Sequence, residues 1–331
     1  MAEFCNYLYL KIFIIENIKK MLKLSVVVAS HRIKWINELS ELLLSQKGID
    51  RSEFEIIIVT DYQNDTLSEK YPGIKWIFYP DLSISKKRNE GIGNANGIYV
   101  AFTDDDCMPS LTWAADGVTY LDNNPGIAGV EGYTTIDSAG ESRVLIEYRR
   151  LEKQGFRTNN IFYRKSDLVA AGLFDTRFSV QREDVDLAFS LLSLGKKIEY
   201  CKNITLGHRF RDGEPWDLLK NCINRRFDPL LYKKHPELYR QYIKSPFPLS
   251  ILLSSVIFLP LLLLIAGLFS FRRAVLISTV AALLFTLHRT GIKPVAVSSL
   301  VKEMVSVVAA PVALTAALLY GSIKYKKVLL L

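Results

Sequence analysis

Three consecutive carboxylates, Asp104, Asp105 and Asp106, follow the apolar run Ile98-Tyr99-Val100-Ala101-Phe102-Thr103. Like charges in sequence repel, so each acid calls for water or a cation. The run is rich in β-branched and aromatic residues and reads as a buried strand. Acids at the carboxyl end of such a strand stand where open α/β sheets bind ligands. An acidic turn with an Asp cap ahead of Pro109 accounts for the same residues without a ligand. The stretch Ser85-Lys86-Lys87-Arg88-Asn89 opens a predicted helix. The helix dipole disfavours cations there, unless an anion such as pyrophosphate binds the helix amides and the side chains together. A solvated basic face is the alternative, and the aspartates at a neighbouring strand end weigh against it. Asp104 to Asp106 are of the type that holds Mg2+ or Mn2+, which takes one or two carboxylates and completes its shell from phosphates and water. A diphosphate bridged by metal and arginine is the natural ligand of such a group.

The elements that must position these residues alternate. Leu24-Ser25-Val26-Val27-Val28-Ala29 reads as a strand and leads to Ser30-His31-Arg32; a helical stretch over 35–46 follows, with Gly48 as its stop. Residues 54–59 form a second buried strand ending at Asp61, 74–79 a third, and 85–96 a helix leading to the strand before the aspartates. This β-α-β-α-β-α-β order predicts a mostly parallel sheet with helices on both faces. Further on, strands are expected near 129–135, 158–163 and 198–205, and helices over 142–154 and 183–194.

Composition sets the setting. The chain has 331 residues and a net charge of +8, but from Phe247 onward eight Lys and Arg face Glu303 alone. That tail carries +7, and the nearly neutral body lacks the clustered cations of a nucleic-acid groove. Basic residues flanking apolar segments are a membrane pattern. Residues 247–269 hold 23 positions without a charge, enough to cross a bilayer, whereas 274–287 and 304–320 are shorter. Arg272 and Arg273 lie where a crossing from the cytoplasm would emerge, against the positive-inside trend. Four scattered cysteines with no CxxC pair support neither a zinc site nor a disulfide framework. The apolar stretch 4–15, interrupted by Lys11, is expected to be interfacial, unless translation begins at Met21. The expected division is 1–21 as an extension, 22–245 as the body (22–110 and 111–245 its halves), and 246–331 as a membrane region of two or three helices.

With these residues in view, the chain resembles family 2 glycosyltransferases of the GT-A fold over roughly 22–230. Arg88-Asn89-Glu90-Gly91, Ala95-Asn96-Gly97-Ile98-Tyr99 and Phe102-Thr103-Asp104-Asp105-Asp106 resemble the family's RN-x-G, A-x-G-x-Y and F-x-D-x-D series. The resemblance implies a doubly wound, mixed but mainly parallel sheet. It implies a nucleotide-sugar site built from Ser30, Asp61, Arg88, Asp104 and Asp105. Asp106 would ligate Mg2+ or Mn2+ with Asp104 at the metal or its water, and His208 would face metal or phosphate. The family usually has two acids where this chain has Thr60 and Asp61, so UDP and GDP donors both stay open.

Asn160, Gly172-Leu173-Phe174-Asp175 and Glu183-Asp184-Val185-Asp186-Leu187 resemble the family's acceptor-side series. Acids at a helix start also suit the helix dipole. By the resemblance, Asp184 is the base that takes the acceptor's proton, Glu183 orients it, and Asn160 and Asp186 lie on the acceptor side. The Q-x-x-R-W of processive synthases is absent, and Asn221 to Phe227 are only loosely similar to it. The implied activity is metal-dependent, inverting transfer from a nucleotide sugar to a hydroxyl of a lipid-linked or other membrane-proximal glycan. It would take place at the cell membrane, with the catalytic domain on the cytoplasmic side and no nucleic acid involved. The rivals are a polyprenyl-phosphate sugar transferase, whose acceptor needs no base, and a catalytically silent nucleotide-binding scaffold.

Overall fold

The computed structural model describes residues 22–63, 65–81, 83–137, 148–210, 214–290 and 297–329. The expected interfacial stretch 4–15 lies outside them, as does most of the helix expected over 142–154, whose described end is a 3-10 turn, Arg149–Glu152. The chain forms two compact units. The first comprises Met1–Thr134, Gln154–Thr176 and Leu191–His208; the second comprises Thr135–Lys153, Arg177–Ser190 and Arg209–Leu331.

The first unit begins with β1 (Leu24–Ser30), α1 (Ile36–Leu44), β2 (Phe54–Thr60), α2 (Asp65–Lys70), β3 (Lys75–Phe78), α3 (Ile84–Asn94) and β4 (Tyr99–Thr103). The short β5 (Cys107–Pro109), α4 (Trp113–Asn123), β6 (Gly129–Asp137), β7 (Asn160–Arg164) and α5 (Lys165–Ala170) follow. After α6 (Glu183–Ser193) of the second unit, the chain returns as β8 (Ile198–Arg209). The eight strands form one mixed sheet in the order β3-β2-β1-β4-β7-β6-β8-β5. Strands β1 to β4 pair in parallel, and β7 runs antiparallel to both β4 and β6. This is the predicted architecture, with an antiparallel side that periodicity left undefined.

Burial explains the pattern. Every residue of β1 and β4 is buried, as a strand covered on both faces requires, which is why they read as continuous apolar runs. Val26, Val28, Ile56, Ile58 and Ala101 share one core with Trp113 and Phe162. Gly91 lets α3 lie on β1, because a Cβ there would overlap the Val27 side chain. The register sets Ser30 opposite Thr60 and Val28 opposite Thr103, so β2, β1 and β4 end at one edge of the sheet.

The second unit continues with α7 (Asp217–Asn224), the 3-10 turn Arg225–Phe227, α8 (Asp228–Lys234), α9 (Leu249–Ser254), α10 (Leu259–Ile265), α11 (Phe271–Thr290) and α12 (Val297–Tyr325). Among the described residues, two helices are long and apolar enough to cross a membrane: α11, with mean hydropathy 1.4, and the 29-residue α12, with 1.9. The segment with the strongest expectation, 247–269, is instead α9, a 3-10 turn (Ser255–Phe258) and α10, ending at Gly267 with φ 74°. Pro260, which has no N–H to donate, stands at the start of α10. Absence of charge measures apolarity, not helix continuity, and the two shorter runs were extended by polar residues that their helices absorb. Arg289 and Glu303 pair at 3.8 Å between α11 and α12. One face of α12 is core in its own right, with Ala310, Leu314 and Leu318 packed on Cys222 and Ile251.

Candidate active site

The first unit gathers its polar residues at the ends of β1, β2 and β4. Asp105 is buried and accepts five hydrogen bonds: from Ser30 Oγ (3.1 Å), the His31 and Arg32 amides (3.0 and 3.1 Å), and Arg32 Nε and Nη2 (3.1 and 2.6 Å). Its carboxylate organises the turn that leaves β1. Through these bonds Asp105, expected at the nucleotide sugar, positions Ser30 and Arg32. A fully buried carboxylate is stable as an anion only when donors surround it, and here all of them come from the chain.

Asp61 sits between two bases, with His31 Nδ1 at 2.8 Å and Lys87 Nζ at 3.1 Å from Oδ2. Burial works to raise its pKa, but the hydrogen bonds from His31 and Lys87 outweigh that and hold it below the usual carboxylate value. Lys87 itself is buried and also donates to the Ser30 carbonyl at 3.0 Å. The cations that open α3 thus each meet a carboxylate: Lys86 with Asp81 (2.6 Å), Lys87 with Asp61, and Arg88 with Asp104 (3.2 Å). Lys87, one of the cations expected to meet an anion or solvent, braces the sheet edge by bridging Asp61 and the end of β1.

Asp104 keeps 30% of its side chain exposed. Burial of the cluster, with the neighbouring charge of Asp106, raises its pKa against the pull of Arg88. Asp106 is buried, 3.4 Å from Arg32 Nη2 and 3.6 Å from His208 Nε2. Pairing of β5 with β8 places Cys107 opposite His208, and ligand atoms of Asp106, Cys107 and His208 fall within 4.8 Å of one another. The cysteine was not singled out as a site residue; only the register brings it there. Its thiol is pushed well up by burial and by Asp104 and Asp106, which keeps it protonated and unsuited to a hard cation. A carboxylate beside an imidazole, with half-buried Asp104 close in sequence, is a donor set that fits Mn2+ better than Mg2+.

Asn89 joins two motifs. Its amide donates to the Phe174 carbonyl (2.8 Å) and accepts from the Phe174 amide (3.0 Å), so it reads the backbone of Gly172-Leu173-Phe174-Asp175 as a strand would. Gly172 and Leu173 both have positive φ, 88° and 64°, a bend that the clamp stabilises. The Arg88 guanidinium lies 5.6 Å from the Phe174 ring centre. Asn160, expected on the acceptor side, is fully buried in the sheet. Its Oδ1 accepts from Trp113 Nε1 (2.8 Å) and its amide donates to the carbonyls of Tyr133 and Ile204 (3.1 and 3.3 Å). Its amide group and its oxygen thus pin β7 within the core.

In the second unit, the acids at the start of α6 divide their roles. Asp186, expected on the acceptor side, is buried against Lys234 Nζ (2.7 Å) and His235 Nε2 (3.1 Å), which ties the start of α6 to residues 234 and 235. Arg182, at φ 78°, donates Nε and Nη2 to the two oxygens of Asp228 (2.7 and 3.1 Å). Arg225 (3.1 Å) and the Tyr239 hydroxyl (2.8 Å) complete the Asp228 shell. The Glu183-Asp184 pair is therefore moored on both sides. Glu183 is buried, while Asp184 is half-buried with Oδ1 accepting from the Val185 amide at 2.7 Å.

Known proteins resemble this chain in part of its sequence and in its fold. Residues 25–182 match the family described as Glycosyl transferase family 2. A Rickettsia felis protein described as an uncharacterized glycosyltransferase is 29% identical over 147 residues, covering 42% of this chain and 23% of its own. The chain thus spans less than a quarter of that relative's length. Among solved structures, the mannosyltransferase PcManGT from Pyrobaculum calidifontis, in complex with GDP-Man and Mn2+, superposes with a TM-score of 0.59 at 16% identity, covering 92% of this chain and 87% of that one. Residues 1–349 of S. aureus TarS in complex with UDP give a TM-score of 0.50 at 17% identity, covering 89% and 91%. At these identities the likeness is one of fold. The sheet is of the GT-A type, and within it residues 25–182 are similar to family 2 glycosyltransferases.

Asp106→Asn and Asp105→Asn separate ligation from positioning. Asp106→Asn is expected to weaken Mn2+-dependent nucleoside diphosphate binding by more than the roughly tenfold typical of losing an outer-sphere partner, with little change in melting temperature. Asp105→Asn is expected to lower the melting temperature and affect the ion less. Calorimetry and thermal melts on both variants check this; equal losses of ion affinity would place the ligand wrongly.

Proposed function

We propose that this protein transfers a sugar, with inversion, from a nucleotide-sugar donor to a hydroxyl of a lipid-linked or membrane-proximal glycan. The observation that carries this reading is Asp184: within its acidic series it alone stays half open, between two buried moorings. A base held in place but open to solvent is what hydroxyl transfer requires and nucleotide binding alone does not.

In this reaction the acceptor oxygen bonds to the anomeric carbon while Asp184 takes its proton. The bond from that carbon to the diphosphate oxygen breaks, and the nucleoside diphosphate leaves with the electron pair. Attack from the face opposite the leaving group inverts the centre through an oxocarbenium-like transition state. Glu183 orients the base. Arg88 exchanges Asp104 for a donor phosphate, a charge-assisted hydrogen bond to the developing anion. Ser30 and the ionised Asp61 receive the nucleoside. Asp106 and His208, with Asp104 beside them, would hold Mn2+ or Mg2+, which when bound supplies positive charge to the diphosphate. The 246–331 region attaches the chain to the membrane through α11 and α12. Lys324, Lys326 and Lys327 at the end of α12 favour the cytoplasmic side for that end and for the body.

A donor screen tests the reading. Full-length protein in detergent, given UDP- and GDP-linked sugars and a lipid-linked acceptor, is expected to release nucleoside diphosphate with one donor class and to stop when EDTA is added. Binding of nucleotide without turnover of any donor would favour the silent scaffold.

A further inference from the structure

The second unit contains a cavity of about 560 Å³ between residues 177–179, the turn Arg225–Phe227 and the last turns of α12. Its lining includes Arg177, Arg226 and Lys324, and no carboxylate is among the described residues that line it. The guanidinium of Arg226 lies 5.0 Å from the Phe227 ring, and Lys324 Nζ lies 5.7 and 5.5 Å from the rings of Tyr320 and Tyr325. Aromatic faces hold a cation in place without cancelling its charge. Asp228, the acid nearest in sequence to Arg226, is already surrounded by Arg182, Arg225 and Tyr239.

The lining also includes Ala313, Ala316 and Ala317 of α12, small side chains that leave a trough. The trough continues along the helix. A second cavity of about 440 Å³ shares Ala316 and is lined by Phe258, Pro311, Val312, Thr315 and Leu319, nearly all apolar. Gly321 fixes the cationic end, since a Cβ there would overlap the Arg226 carbonyl, and so α12 approaches the Arg225–Phe227 turn closely. Tyr320, Lys324 and the following Lys326 and Lys327 mark that end as headgroup level, because aromatic and basic residues collect at membrane interfaces.

We propose that the two cavities form one site for an anionic lipid: a phosphate or diphosphate head among Arg177, Arg226 and Lys324, with the apolar tail along Ala316 and Leu319. As the seat of a lipid-linked acceptor, this site rests on the transfer reading above; as a lipid-phosphate site it does not. Charge selects the head and the alanine trough selects the tail, so neither a free phosphate nor a zwitterionic lipid satisfies both.

The test uses the full chain in phosphatidylcholine nanodiscs, with no donor present, titrated with a polyprenyl monophosphate and followed by native mass spectrometry. One lipid phosphate per chain is expected. Arg177→Gln and Lys324→Gln are each expected to weaken it about fivefold, the scale for one cation near a membrane surface. Ala316→Trp, which fills the trough and leaves the charge, is expected to abolish it, and millimolar inorganic phosphate is expected not to displace it. Unchanged affinity in both charge variants, displacement by inorganic phosphate, equal retention of phosphatidylcholine, or a second copy of this chain in the trough would each overturn the proposal. Unaltered melting temperatures in the two charge variants, whose side chains are exposed, separate lost binding from lost folding. Lipid binding lost with donor turnover intact sinks this site alone, and lipid binding intact without transfer sinks the transfer reading alone.

Discussion

Asp184→Asn is expected to lower sugar transfer by about 10²–10⁴-fold, the contribution of a positioned base, while nucleotide binding persists. The substitution keeps the size and most of the hydrogen bonding of the side chain, including the bond accepted from the Val185 amide. What it removes is the lone pair that takes the acceptor's proton. The groups proposed to bind the donor, Arg88, Asp104 and Asp106, belong to a different compact unit, so their affinity is expected to stay within a few-fold of wild type. A purely structural Asp184 would act as an acid near a helix N-terminus, worth about 0.3–1 kcal/mol. Turnover would then be close to normal and the melting temperature slightly lower. An acceptor that is already a phosphate anion would also leave turnover intact, because no proton has to leave. Steady-state turnover, donor titration and a thermal melt on this variant distinguish these outcomes, and near-normal turnover with a hydroxyl acceptor would remove the mechanism proposed here.

Asp228→Ala is expected to destabilise the second unit by about 3–5 kcal/mol, the cost of removing one partner from a buried ion pair. Asp228 is fully buried, and the substitution strands Arg182, itself 11% exposed, and leaves Arg225 and the Tyr239 hydroxyl without their acceptor. Because Arg182 precedes Glu183 and is held at φ 78° by this pair, loss of Asp228 also frees the start of α6. Turnover should fall with stability, and Asp228→Asn should recover part of the stability, since an amide oxygen still accepts one hydrogen bond. The pH dependence has a definite sign. Burial tends to raise the pKa of Asp228, but Arg182 and Arg225 outweigh it and hold it below the usual carboxylate value. A depressed folded-state pKa stabilises above the unfolded value, near 4. This stabilisation is complete at neutral pH and is lost as pH falls through the folded-state pKa. Chemical denaturation of wild type and Asp228→Asn at pH 7 and below pH 4 should therefore show the gap between them closing in acid. A constant gap would mean that Asp228 is not the ion-pair partner that holds this unit.

Much of the fold follows from local properties of the chain. The runs at 24–29, 54–59 and 98–103 are apolar because both faces of their strands are covered, and the polar residues that end them mark the sheet edge. Ordered motifs carried the resemblance to family 2 glycosyltransferases, since Arg88-Asn89, Gly91 and the aspartates keep their spacing along the chain. The jobs of individual acids did not follow from it. Asp105 and Asp106 are adjacent in sequence, yet one is surrounded by donors from residues 30–32 and the other lies against His208. Asp184 and Asp186 share one helix turn, yet Asp186 is fully buried against Lys234 and His235 while Asp184 stays half-buried. A carboxylate becomes structural or reactive according to the donors that reach it, and those donors come from parts of the chain tens to a hundred residues away. The sequence by itself determined which segments become strands and which charges crowd the sheet edge, because period and polarity are local. Only the tertiary structure decided which of those charges are satisfied within the protein and which remain open to a ligand, because that depends on long-range pairing such as β5 with β8.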